Sequence, residues 1–349
     1  MTRPRLGAVA TAVPRYVLDQ REVAERFRGA FATRAGHIER LMPVFLNAGI
    51  QTRYSCVPIE WYARDHDWPD RNRVYLESAL DLLERATTTA LDRAALSPDD
   101  IDAVVVVSTT GIATPSLDAL LAERMKLKRT IRRLPIFGLG CAGGVIGLAR
   151  AATMAAMDPD ANVLFLVVEL CTLSFRRDDF SKSNVVATAL FGDGAAAAIL
   201  SCGGDGPEIG ASGEYTWPKS LGIMGWDVKA DGMRAIFSRD IPALVTTRFK
   251  SVLDDFLGRN ERRADELGEY LCHPGGAKVL DALETAFGIG SGDLRHSRAV
   301  LREYGNMSAA TVMFVLERAF QTLPKGRSAL MTALGPGFTA AFLLLEPAR

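Results

Sequence analysis

A chain of 349 residues that is 48% hydrophobic and 23% charged can bury a large core, as one big domain or as two packed halves, which excludes disorder. Lys plus Arg and Asp plus Glu both number 41, so the formal charge is zero, no block of like charge marks a nucleic-acid or membrane footprint, and any basic site must be local. Five cysteines (56, 141, 171, 202, 272) form no C-x-x-C pair and the histidines (37, 66, 273, 296) are scattered, which argues against a metal site and for a reducing, cytoplasmic setting.

At the N-terminus, Arg3 and Arg5 precede the apolar run 6–13 as in a signal peptide, but Pro14 and Arg15 end it early and no small-residue cleavage site follows. The spacing predicts a helix over 73–93, a buried strand over 101–107, a helix over 117–127, a short strand over 134–137, a helix over 145–157 and a strand over 163–168. None of the apolar runs approaches the roughly 20 residues that span a bilayer. Val- and Ile-rich strands alternating with Ala/Leu/Arg-rich helices indicate an α/β protein.

The two halves of the chain repeat each other. Strand 101–107 runs into Ser108-Thr109-Thr110-Gly111, and strand 269–272 into His273-Pro274-Gly275-Gly276. Ser108 to Cys141 and His273 to Asn306 are each 33 residues, and each interval ends in a Gly, the special residue and a small-residue helix start. Each half then closes with a Gly-x-Gly turn into an apolar strand, at Gly192-Asp193-Gly194 and at Gly335-Pro336-Gly337. The first half is longer from Cys141 to its Gly-x-Gly turn, which predicts an insertion around 171–190. A duplicated unit places Cys141 and Asn306 as symmetry mates at the junction of the halves, with His273 beside them.

Cys141, in Gly138-Leu139-Gly140-Cys141-Ala142-Gly143-Gly144, opens a helix, where unpaired N–H groups favour a thiolate. Taken singly, Cys141 also reads as a small buried hydrophobe, His273 as a structural histidine and Asn306 as an N-cap. Together they suit a single chemistry, in which a thiolate carries an acyl group while His and Asn donate hydrogen bonds to a thioester carbonyl, stabilising the enolate formed as carbon dioxide leaves. A competing reading takes Gly138-x-Gly140-x-x-Gly143, with Glu169 ending the next strand, as a dinucleotide fingerprint.

These motifs resemble the type III polyketide synthases, the chalcone-synthase-like branch of the thiolase superfamily, over essentially the whole chain. Gly138 to Gly144 resembles the nucleophile turn, Cys272-His273-Pro274-Gly275-Gly276 the histidine motif, Tyr304-Gly305-Asn306-Met307-Ser308 the asparagine motif, and Gly335-Pro336-Gly337-Phe338 the loop shaping the cyclisation cavity. The resemblance implies a thiolase-like fold of two αβαβα halves in a five-layered core, divided as 1–205 and 206–349. It implies acylation of Cys141 by a starter acyl-CoA, decarboxylation of malonyl-CoA by His273 and Asn306, no bound cofactor or metal, and a homodimer. Phe191 matches a gatekeeper aromatic, and a second gatekeeper position falls on Ala235 by ungapped counting, with Phe237 two residues on; a small residue there would widen the cavity. Cys171, Leu173, Ser174 and Ser308 match pocket positions, Cys171 with packing as its favoured role, and Thr109 and Thr110 are expected beside them. Of the cations that hold CoA phosphates in the family, Arg40 alone has a match, the neighbouring positions being Pro43 and Asn47. Glu60-Trp61-Tyr62, Gly111 to Ser116 and Glu169 to Leu173 are similar to the bacterial alkylpyrone and alkylresorcinol synthases, which implies a fatty acyl-CoA starter. Ketoacyl-ACP synthases of the third kind share the Cys-His-Asn set and are the runner-up resemblance.

Overall fold

Continuous runs of Val, Leu and Ala can be strands only where both faces are covered, and the computed structural model, which describes residues 3–30 and 39–347, covers them with helices on both sides. His37 lies outside the described residues. The strands, in chain order, are β1 (Arg5–Ala12), β2 (Tyr16–Asp19), β3 (Thr52–Ser55), β4 (Ile101–Val107), β5 (Arg132–Ile136), β6 (Asn162–Leu170), β7 (Asp193–Ser201), β8 (Glu208–Thr216), β9 (Met224–Lys229), β10 (Gly232–Phe237), β11 (Glu269–Cys272), β12 (Ala329–Gly335) and β13 (Thr339–Glu346).

Nine of them form a sheet ordered β11-β12-β13-β8-β1-β7-β6-β4-β5. Its two parts meet at β1 and β8 through one residue pair, Arg5 opposite Glu208, which also form an ion pair at 2.8 Å. On either side of that seam the pairing pattern is the same. β4 runs parallel to β6, β6 antiparallel to β7 and β7 antiparallel to β1. Likewise β11 runs parallel to β12, β12 antiparallel to β13 and β13 antiparallel to β8. The repeat visible in the sequence is thus a repeat of topology, with β5 as an extra edge strand beside β4.

Alternation within the strands sorts the core into layers. Ala103, Val105 and Val107 of β4, with Val163, Phe165 and Val167 of β6, face a central layer built on the helices Gly143–Met157 and Thr311–Ala319. Their neighbours Val104, Val106, Leu164 and Leu166 face the helix Trp68–Ala94. Outside the other part of the sheet lie the helices Lys250–Arg259 and Ala277–Phe287. The result is the expected five-layered thiolase-like α/β core. The stretch Gly140–Met157 is long and apolar enough to cross a membrane by composition, but 72% of it is buried as the central core helix.

The equal 33-residue intervals are filled differently. From Ser108 to Cys141 the chain forms the helix Leu117–Met125 and β5, whereas from His273 to Asn306 it forms two helices, Ala277–Phe287 and Arg295–Tyr304. The insertion in the first half is a 3₁₀ turn, Cys171–Ser174, a loop and the helix Lys182–Leu190.

Candidate active site

Cys141 sits in a 3₁₀ turn, Gly140–Ala142, that leads into the helix Gly143–Met157. The turn is fixed from three sides. Gly140 has φ +47° and a side chain there would come within 2.6 Å of the Pro336 ring, so only glycine fits. Its N–H donates to Thr109 Oγ1 at 3.1 Å, and the N–H groups of Thr109 and Thr110 both donate to Glu169 Oε2 at 3.0 Å. Ser308 Oγ stands 3.6 Å from Cys141 Sγ. Burial pushes the Cys141 thiol up, to about 12, against hydrogen bonds from Ser308 and Asn306 that pull it down, while the Glu169 charge adds to the rise. Burial therefore opposes the helix N-terminus, and the sulfur needs a proton acceptor to become a thiolate.

His273 follows β11, and its backbone N–H donates to Thr332 O at 2.8 Å, extending the parallel pairing with β12. The ring is buried, neither nitrogen has a hydrogen-bond partner, and burial lowers its pKa to about 3, so the imidazole is neutral. Such a ring can accept a proton at one nitrogen and donate from the other. Asn306 is pinned by its main chain to the insertion: its N–H donates to Leu190 O at 2.8 Å and its carbonyl accepts the Gly192 N–H at 3.0 Å. Its Oδ1 accepts the Ser308 N–H at 2.8 Å, while Nδ2 reaches Gly275 O only at 3.4 Å. The amide oxygen is thus engaged and the amide NH₂ is largely free to donate.

Cys141, His273 and Asn306 line one cavity of about 390 Å³. Its inner walls are apolar, with Val186, Leu190, Met224, Phe237, Phe249 and Leu283 among them. Its exposed rim carries Pro43, Asn47, Lys182, Arg239 and Lys278. The three residues singled out by spacing therefore converge, as the topological repeat requires. Among the described residues no three His, Cys, Asp or Glu side chains gather as a metal site would need.

The other expected residues divide. Phe191 does not line this cavity but a second one of about 130 Å³, together with Cys171, Ser174, Arg53, Tyr62 and Phe175. Its ring meets Phe237 edge-on at 5.6 Å, and Phe237 lines the catalytic cavity, so the aromatic pair stands between the two spaces. Of the two candidates for the second gatekeeper position, Ala235 and Phe237, it is Phe237 that lines the catalytic cavity. Ala235 packs in the Phe191 cluster beside Trp226, its register partner on β9, and does not line the catalytic cavity. Thr110, Leu173 and Ser174 surround a cleft of only about 10 Å³ closed by Trp68, Trp226 and Met233. Thr110 Oγ1 accepts the Leu170 N–H at 2.9 Å, and Thr109 is committed to Gly140, so both act as struts.

Gly335 to Phe338 line none of these cavities. They buttress the nucleophile turn: a Cβ on Gly335 would lie 2.8 Å from Ala142 N and Leu139 O, and Phe338 is buried against Trp217 at 4.8 Å. Arg40 is exposed and lies off the cavity, although Pro43 and Asn47 line its rim. The dinucleotide reading fails on space. A Cβ on Gly143 would strike Val107 and one on Gly144 the Ala309 carbonyl, so these glycines admit protein and not a pyrophosphate, and Glu169 is fully buried on backbone N–H groups. Sequence reasoning passed over the rim cations Lys182, Arg239 and Lys278. The readable signal was a Lys in the first turn of two helices, after Ser181 and after Gly276.

Comparison with known proteins gives the family. The model of the N-terminal domain of chalcone and stilbene synthases matches residues 3–205 and that of the C-terminal domain residues 208–347. A 1,3,6,8-tetrahydroxynaphthalene synthase from Streptomyces peucetius subsp. caesius is 39% identical, covering 98% of this chain and 92% of its own. A 3,5-dihydroxyphenylacetyl-CoA synthase from Streptomyces toyocaensis is 30% identical over 99% of this chain and 90% of its own. The crystal structure of 1,3,6,8-tetrahydroxynaphthalene synthase from Streptomyces coelicolor A3(2), a bacterial type III polyketide synthase, superposes with a TM-score of 0.94 at 33% identity over 99% of both chains.

Proposed function

This chain belongs to the chalcone and stilbene synthase family and is a type III polyketide synthase, an acyl-CoA-condensing transferase, and from that premise we propose that it loads a long-chain fatty acyl group onto Cys141, extends it with malonyl-CoA and closes an alkylpyrone or alkylresorcinol. The observation that carries the reading is the meeting of Cys141, His273 and Asn306 in one cavity with apolar inner walls. The Cys141 proton passes to neutral His273 as the sulfur attacks the starter thioester, and CoA leaves as its thiol. Malonyl-CoA then takes CoA's place, with its thioester oxygen between the His273 ring N–H and Asn306 Nδ2. These donors stabilise the enolate as carbon dioxide departs, and its carbon attacks the Cys141 thioester, freeing the sulfur and leaving a β-ketoacyl-CoA. The chemistry draws on CoA thioesters and needs no bound cofactor.

The apolar walls favour an alkyl starter, and the 130 Å³ cavity behind Phe191 and Phe237 offers further apolar room. A malonyl-primed aromatic product is the second reading, favoured by the 39% identical relative named for tetrahydroxynaphthalene. Incubation with malonyl-CoA and a panel of acyl-CoA starters from C2 to C16, read by mass spectrometry, separates them. Starter-containing products extended more than once are expected; products from malonyl-CoA alone would favour the second reading, and singly extended products would refute iterative condensation. The assembly is a homodimer in this proposal, because among the described residues β5 is an edge strand of the sheet and Phe137, directly after it, is 59% exposed. Light scattering at the mass of one chain would contradict it.

A further inference from the structure

The rim of the catalytic cavity carries charge of one sign. Lys182, Arg239 and Lys278 line the cavity from three separate places in the chain, and among the described residues no Asp or Glu lines it, in a chain whose charges sum to zero. Most arginines and lysines with described partners sit against a nearby carboxylate. Lys182 and Lys278 have no described ion pair, and Arg239 meets only exposed Asp240, at 3.8 Å.

Both lysines stand where a cation is least favoured. Lys182 is the first residue of the helix Lys182–Leu190, and Lys278 is the second of the helix Ala277–Phe287. A helix N-terminus carries roughly half a positive charge, so a lysine there adds like charge to like. Neither helix has an acidic residue in its first turn to offset that charge, a feature shared with the helices beginning at Gly143, Lys250, Arg295 and Thr311. Gly276 provides no side-chain cap, and the Ser181 side chain is occupied by the Asn184 N–H. Two positive helix ends and three cations thus converge on one opening, and a multiply charged anion would relieve the arrangement. Across the opening stand Pro43 and Asn47, where the family pattern has cations.

We propose that Lys182, Arg239 and Lys278, with the two helix N-termini, form a polyphosphate site that holds the nucleotide end of CoA thioesters, replacing the handle missing at positions 43 and 47. The assignment rests on the reading that the substrates are CoA thioesters. CoA carries a pyrophosphate and a 3′-phosphate, matching several cations spread round the rim, while a carrier-protein arm carries a single phosphodiester.

All three residues are exposed, so Lys182→Ala, Arg239→Ala, Lys278→Ala and the triple variant should fold. The substrates are one acyl group on CoA, on dephospho-CoA, on a carrier protein and on N-acetylcysteamine, which has no phosphate. Each single variant should raise KM for the CoA thioester roughly 3- to 10-fold and the triple about 100-fold at low salt, with kcat little changed. The increase should shrink as ionic strength rises, and acylation of Cys141 by the N-acetylcysteamine thioester, followed by mass spectrometry without malonyl-CoA, should be unchanged. A triple variant with wild-type KM for the CoA thioester, an equal loss on N-acetylcysteamine, or a loss confined to the carrier-protein thioester would overturn the assignment. Calorimetric titration with free CoA reads the site without turnover: weaker binding by the triple variant supports it even if wild-type protein makes no polyketide, and equal binding refutes it.

Discussion

Replacing Gly144 by Ala puts two physical effects in opposition at the nucleophile helix. An alanine in place of glycine should favour the helix by about 1 kcal/mol. A Cβ at Gly144, however, would lie 2.3 Å from the Ala309 carbonyl oxygen and 2.6 Å from Val312 Cγ1, against a comfortable separation of roughly 3.5 Å. The nearer atom is backbone and cannot rotate away, so the helix and the 308–310 turn must part by about 1 Å. Overpacking of this kind costs about 1–3 kcal/mol, and the backbone obstacle places it at the upper end. The net expectation is a loss of about 2 kcal/mol, a drop of several degrees in Tm. Function should suffer more than stability. Ala309 follows Ser308, whose N–H orients Asn306 and whose hydroxyl faces Cys141, and misplacing such groups by about 1 Å can cost on the order of 100-fold in rate. Thermal unfolding and steady-state product formation on Gly144→Ala measure both. A raised Tm with unchanged kcat would show that propensity governs the site and that the contact is slack.

Three further outcomes follow from the same geometry. With burial holding the Cys141 thiol high, His273→Ala should slow alkylation of Cys141 by iodoacetamide at pH 7 by tenfold or more, and the variant's rate should climb without a plateau to pH 10; an unchanged rate would remove His273 as proton acceptor. Burial raises Glu169 to about 7, so its protonated form is favoured in the folded state, and its stabilising contribution is full below its unfolded pKa and lost as pH rises through about 7. Glu169→Gln keeps an acceptor for Thr109 and Thr110, and should make stability to urea vary less between pH 5 and pH 8; an unaltered pH dependence would contradict the buried acid. Phe237→Ala should join the catalytic cavity to the one behind Phe191, and mass spectrometry should find longer starters or more extensions among the products. An unchanged product set would show that Phe237 is no partition.

The parts of the fold that were legible in the sequence are those where one physical rule acts alone. The strands at 101–107 and 163–168 are apolar runs with no competing pattern, and Cys141, His273 and Asn306 each stand at the end of a short strand or turn, so spacing alone aligns them. β5 and the helix Arg295–Tyr304 occupy equivalent intervals, and a spacing of 33 residues cannot report which is present. Ala235 and Phe237 lie on the same face of β10 because strand side chains repeat every two residues. Only the hairpin register opposite Trp226 and Met224 decides which of them reaches the cavity. The loop 335–338 could not be placed because its contacts are long-range, wedging Pro336 against Gly140.

The central claim is that Cys141 carries the acyl chain. Intact-protein mass spectrometry after incubation with a fatty acyl-CoA, followed by peptide mapping, tests it directly. One acyl group should appear per chain, on the peptide containing Cys141, and be absent from Cys141→Ala. An adduct that persists in Cys141→Ala, or maps to Cys171 beside the second cavity, would contradict the account.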